Sequence, residues 1–461
     1  MNNHSCRACH SRSGLLVLDL GEQPACDYFP KWDDPGPDPV YPLQMWLCSS
    51  CGLAQLLTDP TLAEEPKGTE PAALVAQAAD AVGRVGAAGL LPAGARVTEY
   101  GSPHGGSWLG LLADRGLTPV DDAAQADVVL DCFGLMHAPD QAAALAERGA
   151  RVAPGGVLLL QYHALDAIVR HGQWNALRHG HYAYYSTTAL TAMLAAIGFS
   201  PRTAWHFDLY GGTVLLAASR DADNQQGDDR HVPDTVLPDA VLPDTVLPDT
   251  VRELLAVDAS AGVLDPMTIL DGLQRNVRAH ADALHDWLVA ERAAGRVVLG
   301  YGAASRAVAL LRTAGIDRDL LPAVADASAA KQGLRMPGTR IPVISPAELA
   351  AQRPGTVLLF VSDLLAEVRT AWPQIEADGG RWVAADALAT QKRLFSAQAG
   401  CPRPYLHRLR RGGITAPSRV IIYIAFGSGL TRGSRVGWAM AVSAVAMARV
   451  LRRGHVRIMS S

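Results

Sequence analysis

The chain of 461 residues has no uninterrupted apolar window of about 20 residues, the length that a membrane-spanning helix needs. Its first five residues also lack the apolar segment of a secretory signal peptide. These two absences argue against a membrane-embedded or exported protein. We therefore expect a cytoplasmic protein without a membrane partner.

Acidic residues are absent from the last part of the chain. Residues 387–461 hold 13 of the 41 basic side chains and no aspartate or glutamate, so the preceding residues carry 28 minus 45, a balance of −17. Such an acidic body argues against a nucleic-acid partner, although a binder that uses its basic tail is a third interpretation. Because the arginines of the tail are scattered, we expect residues 391–461 to be a poorly ordered extension.

The cysteines do not form a pattern that is typical of disulfides. Seven is an odd number, and four of them form two Cys-x-x-Cys pairs, Cys6 with Cys9 and Cys48 with Cys51. Four thiolates fill the tetrahedral shell of a structural Zn²⁺ and leave no position for substrate. We predict that these cysteines bind one Zn²⁺ in a small domain, residues 1–58, and the alternative is four ordinary buried thiols.

Apolar strands and amphipathic helices alternate through residues 68–220, with glycines at the strand ends. This order predicts a doubly wound parallel sheet. The segment Glu99-x-Gly101-x-x-x-Gly105 follows one such strand and precedes a helix, which suits a nucleotide-type ligand because glycine permits close backbone approach. Between Val120 and Ala126 there is no room for a further helix and strand, so we expect a shortened sheet.

A proline stands at every fifth position from Pro233 to Pro248, which predicts an extended linker over residues 221–251. Residues 252–390 then predict helices and a second open α/β unit. Its turn at Gly302, with Ser305 and Arg306, is suited to a diphosphate, with Lys331 as a point charge and Gln332 beside it. The alternative is a packing turn with solvated side chains.

Several motifs follow one another in a fixed order. They are Cys6-x-x-Cys9, Asp19-Leu20-Gly21-x-Gln23-Pro24, Cys48-x-x-Cys51-Gly52-Leu53-x-Gln55-Leu56, Gly300-Tyr301-Gly302-Ala303 and Lys331-Gln332-Gly333-x-x-x-Pro337-Gly338-Thr339. With the α/β core between them, they resemble the three-domain, zinc-containing C-methyltransferases of antibiotic deoxysugar biosynthesis. The resemblance implies an α/β fold with a zinc-binding domain, a shortened class I methyltransferase Rossmann-like domain and a second Rossmann-like domain at the C-terminus.

The resemblance also implies the ligands. The cofactor would be S-adenosylmethionine, bound by Glu99, Gly101 and Gly105, with Asp121 at the ribose and His137 nearby. The substrate would be a nucleotide-linked 4-keto sugar such as a dTDP-sugar, bound by the C-terminal unit. We expect a monomer or a homodimer.

The family places its acid and base residues in a Tyr-x-Glu-His run, which aligns with Arg178-His179-Gly180-His181. In that family a base removes the proton beside the ketone, and the enolate attacks the methyl group. Because His181 matches and imidazole titrates near physiological pH, we predict it as the base, with His179 and Tyr184 in support and Arg178 at the enolate oxygen. Since Gly180 replaces the glutamate, a methyltransferase-like partner protein without activity is the alternative.

Overall fold

The structure is a computed structural model that describes residues 4–61, 70–101, 106–121, 124–221 and 247–388. These residues belong to one compact unit. The predicted basic extension at residues 391–461, most of the predicted linker and Gly105 lie outside them. Within these ranges, no helix is both long enough and apolar enough to cross a membrane.

The N-terminal part is an antiparallel sheet. Its strands, in spatial order, are β1 (Gly14–Pro24), β2 (Val40–Cys48), β3 (Ala54–Leu56) and β8 (Ala183–Tyr184). Strand β1 continues through the glycine at position 21. Gly21 has a φ of +65°, and the pairing with β2 shifts between Asp19 and Glu22, so this glycine forms a bulge rather than a chain reversal.

The second sheet has six strands, and its first four are parallel. In spatial order they are β5 (Thr118–Pro119), β4 (Arg96–Tyr100), β6 (Ala126–Cys132), β7 (Val152–His163), β10 (Thr213–Arg220) and β9 (Phe199–Phe207). The helices that accompany it are α1 (Ala72–Ala87), α2 (Leu109–Ala113), α3 (Gln141–Arg151), α4 (Leu165–Arg170) and α5 (Thr187–Ala196). The sheet ends at the two-residue β5, which confirms a shortened Rossmann-like domain.

The third sheet is wholly parallel, as the second predicted Rossmann-like unit requires. Its order is β13 (Val343–Ile344), β12 (Val324–Ala325), β11 (Val298–Tyr301), β14 (Thr356–Leu359) and β15 (Arg381–Ala384). Its helices are α7 (Pro266–Ala293), α8 (Ser305–Thr313), α9 (Pro346–Ala351), α10 (Leu365–Ala371) and α11 (Gln374–Ala377), whereas α6 (Asp249–Ala261) packs against β9, α4 and α5 of the second sheet.

Helix α6 begins at Asp249, inside the predicted linker of residues 221–251. Pro248 is the last proline of the repeat, so nothing after it prevents helical hydrogen bonding, and Val251 is fully buried. The end of the linker therefore belongs to the folded core. The next helix, α7, begins where the Asp265 carboxylate accepts hydrogen bonds from the amides of Met267 and Thr268.

One hydrophobic core joins the N-terminal sheet, the helix α4 beside the second sheet, and the C-terminal unit. Its buried members include Met45 of β2, Ile168 of α4, Leu284 of α7 and Val308 of α8. Because apolar side chains from all three parts exclude water together, burial in this core holds the parts in fixed positions. A cleft between them can therefore carry side chains from more than one part.

Candidate active site

A cleft of about 330 Å³ lies between the second sheet and the C-terminal unit. Among the residues that line it are Trp108, Phe133, His137, Gln161, His163, Arg178, His181, Tyr184, Tyr210, Gly302, Ser305, Arg306 and Lys331. Its volume is in the range of small-molecule sites. The cleft brings together predicted residues from the methyltransferase-like part and from the C-terminal part.

The segment before β8 is anchored by the N-terminal sheet. Strand β8 pairs with β3 through Tyr184 opposite Ala54, only three residues after His181. Gly180, with a φ of +80°, donates its amide to the Asp59 carboxylate at 2.6 Å. The zinc-binding part therefore fixes the position of His181, and Asp59 is a contributor that the sequence did not reveal.

His181 and Arg178 form one hydrogen-bonded pair in the cleft. Nε of Arg178 donates to Nε2 of His181 at 2.7 Å, and a terminal guanidinium nitrogen also contacts this atom. Because a guanidinium has no acceptor, Nε2 must accept, which assigns the ring proton to Nδ1. The His137 ring stands edge-on to His181, with centroids 4.6 Å apart, and its Nδ1 lies 3.0 Å from the carbonyl oxygen of Gly180.

Arg178 also connects this segment to the C-terminal unit. Its second terminal nitrogen contacts Oγ of Ser305, the buried first residue of α8. The Tyr184 hydroxyl accepts from the Arg178 amide at 3.0 Å and donates to the Ala176 carbonyl at 3.3 Å. Burial raises the pKa of Tyr184 above its ordinary value, so the phenol is a positioning group that stays protonated.

His179 does not reach the cleft, contrary to its predicted supporting role. Its ring is buried on another side of the segment, edge-on to Tyr41, and Nε2 lies 3.3 Å from the Pro42 carbonyl oxygen. Burial lowers the pKa of this imidazole, so a neutral ring packs against β2.

The predicted cofactor residues lie at the carboxyl ends of two strands. Glu99 is the last but one residue of β4, and its carboxylate accepts hydrogen bonds from the Ser107 hydroxyl at 2.6 Å and from the Trp108 amide at 2.7 Å. Trp108 lines the cleft, whereas Glu99, Gly101 and Asp121, which follows β5, are outside its lining. A side chain added at Gly101 would meet no atom of the described residues within 4 Å.

The C-terminal unit contributes two cations to the cleft. Arg306 lies over the Tyr210 ring at 5.5 Å, and the buried Lys331 donates to the Ala303 carbonyl at 3.1 Å. Gly302, which turns the chain after β11, has a φ of +93° and lines the same wall. Gln332 does not line the cleft. Its side-chain amide donates a hydrogen bond to the backbone carbonyl of Asp326 at 3.0 Å.

A buried ion pair that the sequence analysis missed shapes the cleft wall. Asp131 at the end of β6 pairs with Arg148 of α3 and accepts from the amides of Gly134 and Leu135 at 2.8 and 2.9 Å. Burial raises the pKa of the Asp131 carboxyl, and Arg148 opposes that shift. The turn that this pair holds places Phe133, with a φ of +61°, at the cleft. The sequence holds one sign of this ion pair, which is an aspartate next to the end of a buried strand.

The four predicted zinc ligands are gathered at one point. Their sulfur atoms all lie within 4.8 Å of one another, with 3.5 Å between those of Cys6 and Cys51 and 3.6 Å between those of Cys9 and Cys48. A tetrahedral Zn²⁺ with Zn–S bonds of about 2.3 Å needs sulfur atoms about 3.8 Å apart. The cysteine set therefore fits the metal.

Amide groups surround two of these sulfurs. Sγ of Cys6 accepts from the Ala8 amide at 3.4 Å and from Nε2 of Gln55 at 3.3 Å, and Sγ of Cys48 accepts from the Ser50 amide at 3.3 Å. Such donors stabilise thiolate charge and orient the ligand atoms. With four thiolates, a bound Zn²⁺ would have no coordination position left for substrate, as in structural zinc sites.

Three family models match consecutive parts of the chain. Residues 6–62 match a zinc binding domain, residues 72–204 a methyltransferase domain and residues 244–385 the C-methyltransferase C-terminal domain. The C-methyltransferase NovU of Streptomyces niveus is 23% identical over 440 residues, which cover 86% of this chain and 97% of that protein. These matches confirm the resemblance that the motifs indicate.

Solved structures resemble the chain only locally. Magnesium protoporphyrin IX methyltransferase (ChlM) from Synechocystis PCC 6803 with bound SAH is 13% identical, covers 32% of this chain and 84% of its own, and has a TM-score of 0.25. An O-methyltransferase family protein from Burkholderia thailandensis is 15% identical, covers 32% and 57%, and also has a TM-score of 0.25. Likenesses this weak carry no functional information.

Proposed function

We propose, from the premise that this chain is a three-domain C-methyltransferase dependent on S-adenosylmethionine, that its substrate is a nucleotide-linked 4-keto deoxysugar and that an enolate is the reacting species. The observation that carries the proposal is the pair of His181 and Arg178 in a cleft shared with the C-terminal unit. A base and a fixed cation side by side suit the removal of a proton next to a ketone.

His181 is the base of this proposal. Its Nε2 lone pair is engaged by Arg178, so the guanidinium must turn its N–H groups away before the ring accepts a proton. A ketone oxygen in the cleft provides the alternative acceptor. The C–H bond beside the ketone then breaks, its proton moves to Nε2, and its electrons form the enolate, whose oxygen accepts hydrogen bonds from Arg178.

When bound, S-adenosylmethionine supplies the methyl group that the enolate carbon takes. The aromatic side chains of Trp108 and Phe133, which line the cleft near the ends of β4 and β6, support a place for such a ligand there. Glu99, Gly105 and Asp121 complete the predicted cofactor set. His137, also in this set, packs edge-on against the proposed base, His181.

The nucleotide of the substrate would bind on the side of the cleft that the C-terminal unit forms. Helix α8 has nine residues and begins at Ser305, and Arg306 and Lys331 line the cleft beside it. Positive charge next to a helix N-terminus attracts a diphosphate. Gln332 has an indirect role here: it holds the backbone of Asp326, which lines the cleft, by a hydrogen bond and does not contact the ligand. The Cys6, Cys9, Cys48 and Cys51 set would hold a structural Zn²⁺ in the part that anchors the segment of His181 through Asp59 and β3.

The test of the base is solvent deuterium exchange at the carbon beside the ketone, without the methyl donor. His181→Asn should slow the exchange by about 10²- to 10⁴-fold, the usual contribution of a general base. His179→Asn is the matched control, since that ring is outside the cleft, and should exchange at close to the wild-type rate. Exchange at the wild-type rate in His181→Asn would exclude this residue as the base.

Calorimetric titration with S-adenosylmethionine separates the enzyme from an inactive scaffold. The enzyme must bind the cofactor, and His181→Asn should bind it as the wild type does because the base acts on the substrate. A chain that binds a dTDP-sugar without binding the cofactor would instead be a binding partner.

A further inference from the structure

Two polar side chains that the proposed mechanism does not use lie at the carboxyl end of β7. Gln161 and His163 are two residues apart in this strand, so both project from the same face of the sheet. Both line the cleft. Each has a buried polar atom without a hydrogen-bond partner in the part of the chain that the structure describes.

Gln161 is 3% exposed, and neither its Oε1 nor its Nε2 has a partner among the described residues. A buried amide that forms no hydrogen bond costs about 1–3 kcal/mol of free energy, so native proteins rarely keep one. The side chain therefore presents one donor group and one acceptor to the cleft. A ligand group that both accepts and donates would satisfy it.

His163 offers only an acceptor. The ring interacts with the backbone of Tyr210 and with the Gln173 side chain, whereas its Nε2 is buried and has no hydrogen-bond partner within the described ranges. Burial, and then the charge of Arg306, lower the pKa of this imidazole to about 3. The ring is therefore neutral at physiological pH. With the single ring proton assigned to Nδ1, the buried Nε2 presents a lone pair to the cleft.

The position of β7 favours the substrate over the cofactor as the source of the ligand group. In the sheet β7 is separated from β4 by β6. Two strand spacings are about 10 Å, so these side chains lie well away from the predicted cofactor loop after β4. Their neighbours in the cleft include Arg306 and Tyr210, on the side of the C-terminal unit.

We propose that Gln161 and His163 recognise hydroxyl groups of the sugar ring and so select the substrate of the reaction. A hydroxyl donates to Nε2 of His163, and a hydroxyl both donates to and accepts from the amide of Gln161. The inference rests on the proposed function, because it takes a sugar nucleotide as the occupant of the cleft. It adds that two neutral groups, distinct from the base and its arginine, orient the ring.

The experiment measures the affinity of the intact protein by calorimetry for three probes: S-adenosylhomocysteine, dTDP and a dTDP-4-keto-6-deoxyhexose. The variants are Gln161→Met, which keeps the length of the side chain, and His163→Asn, which keeps a donor for the Tyr210 carbonyl. Gln23→Leu is the control, since this glutamine is buried in β1 outside the cleft lining. Two independent variants keep the test valid if one does not fold.

In the wild type the sugar should add affinity over dTDP alone. Each cleft variant should lose about 5- to 100-fold in affinity for the sugar nucleotide, the cost of one buried unpaired group. Affinities for dTDP and S-adenosylhomocysteine should be unchanged, as should all three in Gln23→Leu. A purely structural role would instead weaken all three probes together.

Two contrary outcomes are distinguishable. If the wild type gains no affinity from the sugar, the proposed function fails and this inference fails with it. If the wild type gains affinity and both variants keep that gain, or if the loss falls on S-adenosylhomocysteine, the inference alone is overturned.

Discussion

Nε of Arg178 donates a hydrogen bond to Nε2 of His181 across 2.7 Å, so the proposed cation and the proposed base form one unit. Neither group can move without changing the other's hydrogen bonds. The ketone oxygen of a substrate competes with His181 for the same N–H groups. Substrate binding and activation of the base are therefore expected to be coupled.

This coupling predicts the behaviour of Arg178→Lys. Lysine keeps the charge but loses the planar array of donors, so it cannot satisfy the enolate oxygen and Ser305 together. We expect kcat for methyl transfer to fall by about 10²-fold, with a smaller change in KM, because the interaction strengthens as charge develops. Ser305→Ala is the control and should lose far less. If KM rose by a similar factor and kcat stayed unchanged, Arg178 would be assigned to substrate binding instead.

Zinc content tests the cysteine cluster. Cys48→Ser replaces one of the four gathered thiolates, and we expect it to lose its one zinc per chain and to unfold at a lower temperature. Cys26→Ser is the matched control, because Cys26 is also buried but lies outside the cluster. Metal analysis of the purified proteins measures the difference. Full zinc content in Cys48→Ser would refute the assignment.

A buried ion pair joins the N-terminal part to the C-terminal unit. Asp38 binds both terminal nitrogens of Arg335 at 2.6 and 2.7 Å, and the two side chains are 7% and 2% exposed. Asp38→Ala leaves the guanidinium buried without its carboxylate and should lower the free energy of unfolding by about 3–5 kcal/mol. The double variant Asp38→Ala with Arg335→Met should recover part of that loss in urea unfolding. No recovery would mean that Asp38 acts through other contacts.

The buried Asp258 predicts a pH dependence of stability. Burial raises the pKa of its carboxyl to about 6, from 3.8 for the unfolded chain, so its contribution to folding is complete below that lower value and is lost as the pH rises through 6. Asp258→Asn removes this loss. Relative to the wild type, the variant should therefore gain about 2 kcal/mol of stability between pH 4.5 and pH 8.

Urea unfolding at the two pH values measures the effect on Asp258→Asn. Asp271→Asn, at a more exposed aspartate on α7, controls for the change in net charge. A constant difference between Asp258→Asn and the wild type across this range would contradict the buried carboxyl as the cause.

Local patterns in the sequence were enough to predict some of this structure. The spacing within each Cys-x-x-Cys pair brings two thiolates together by itself, and glycines mark the ends of β4 and β11. The alternation of strands and helices likewise gave both Rossmann-like units. These features depend on residues that are near one another in the chain.

The features that were missed depend on contacts between distant residues. His179 and His181 lie in an irregular segment without a period, so nothing in the sequence shows which ring faces the cleft. The pairing of β8 with β3, which decides it, joins Tyr184 to Ala54. The partners of Asp131 and Asp38 are likewise set by packing between elements, which single-sequence patterns do not record.

The place of β8 in the N-terminal sheet has a consequence for synthesis on the ribosome. β3 emerges early, but the two residues that cover its free edge are translated only after most of the methyltransferase-like part. Until then the sheet presents an open edge, which is a template for pairing with another nascent chain. A metal-loaded N-terminal fragment that ends before β8 should therefore self-associate. A fragment extended through Tyr184 should not do so through this edge, because its own β8 pairs with β3.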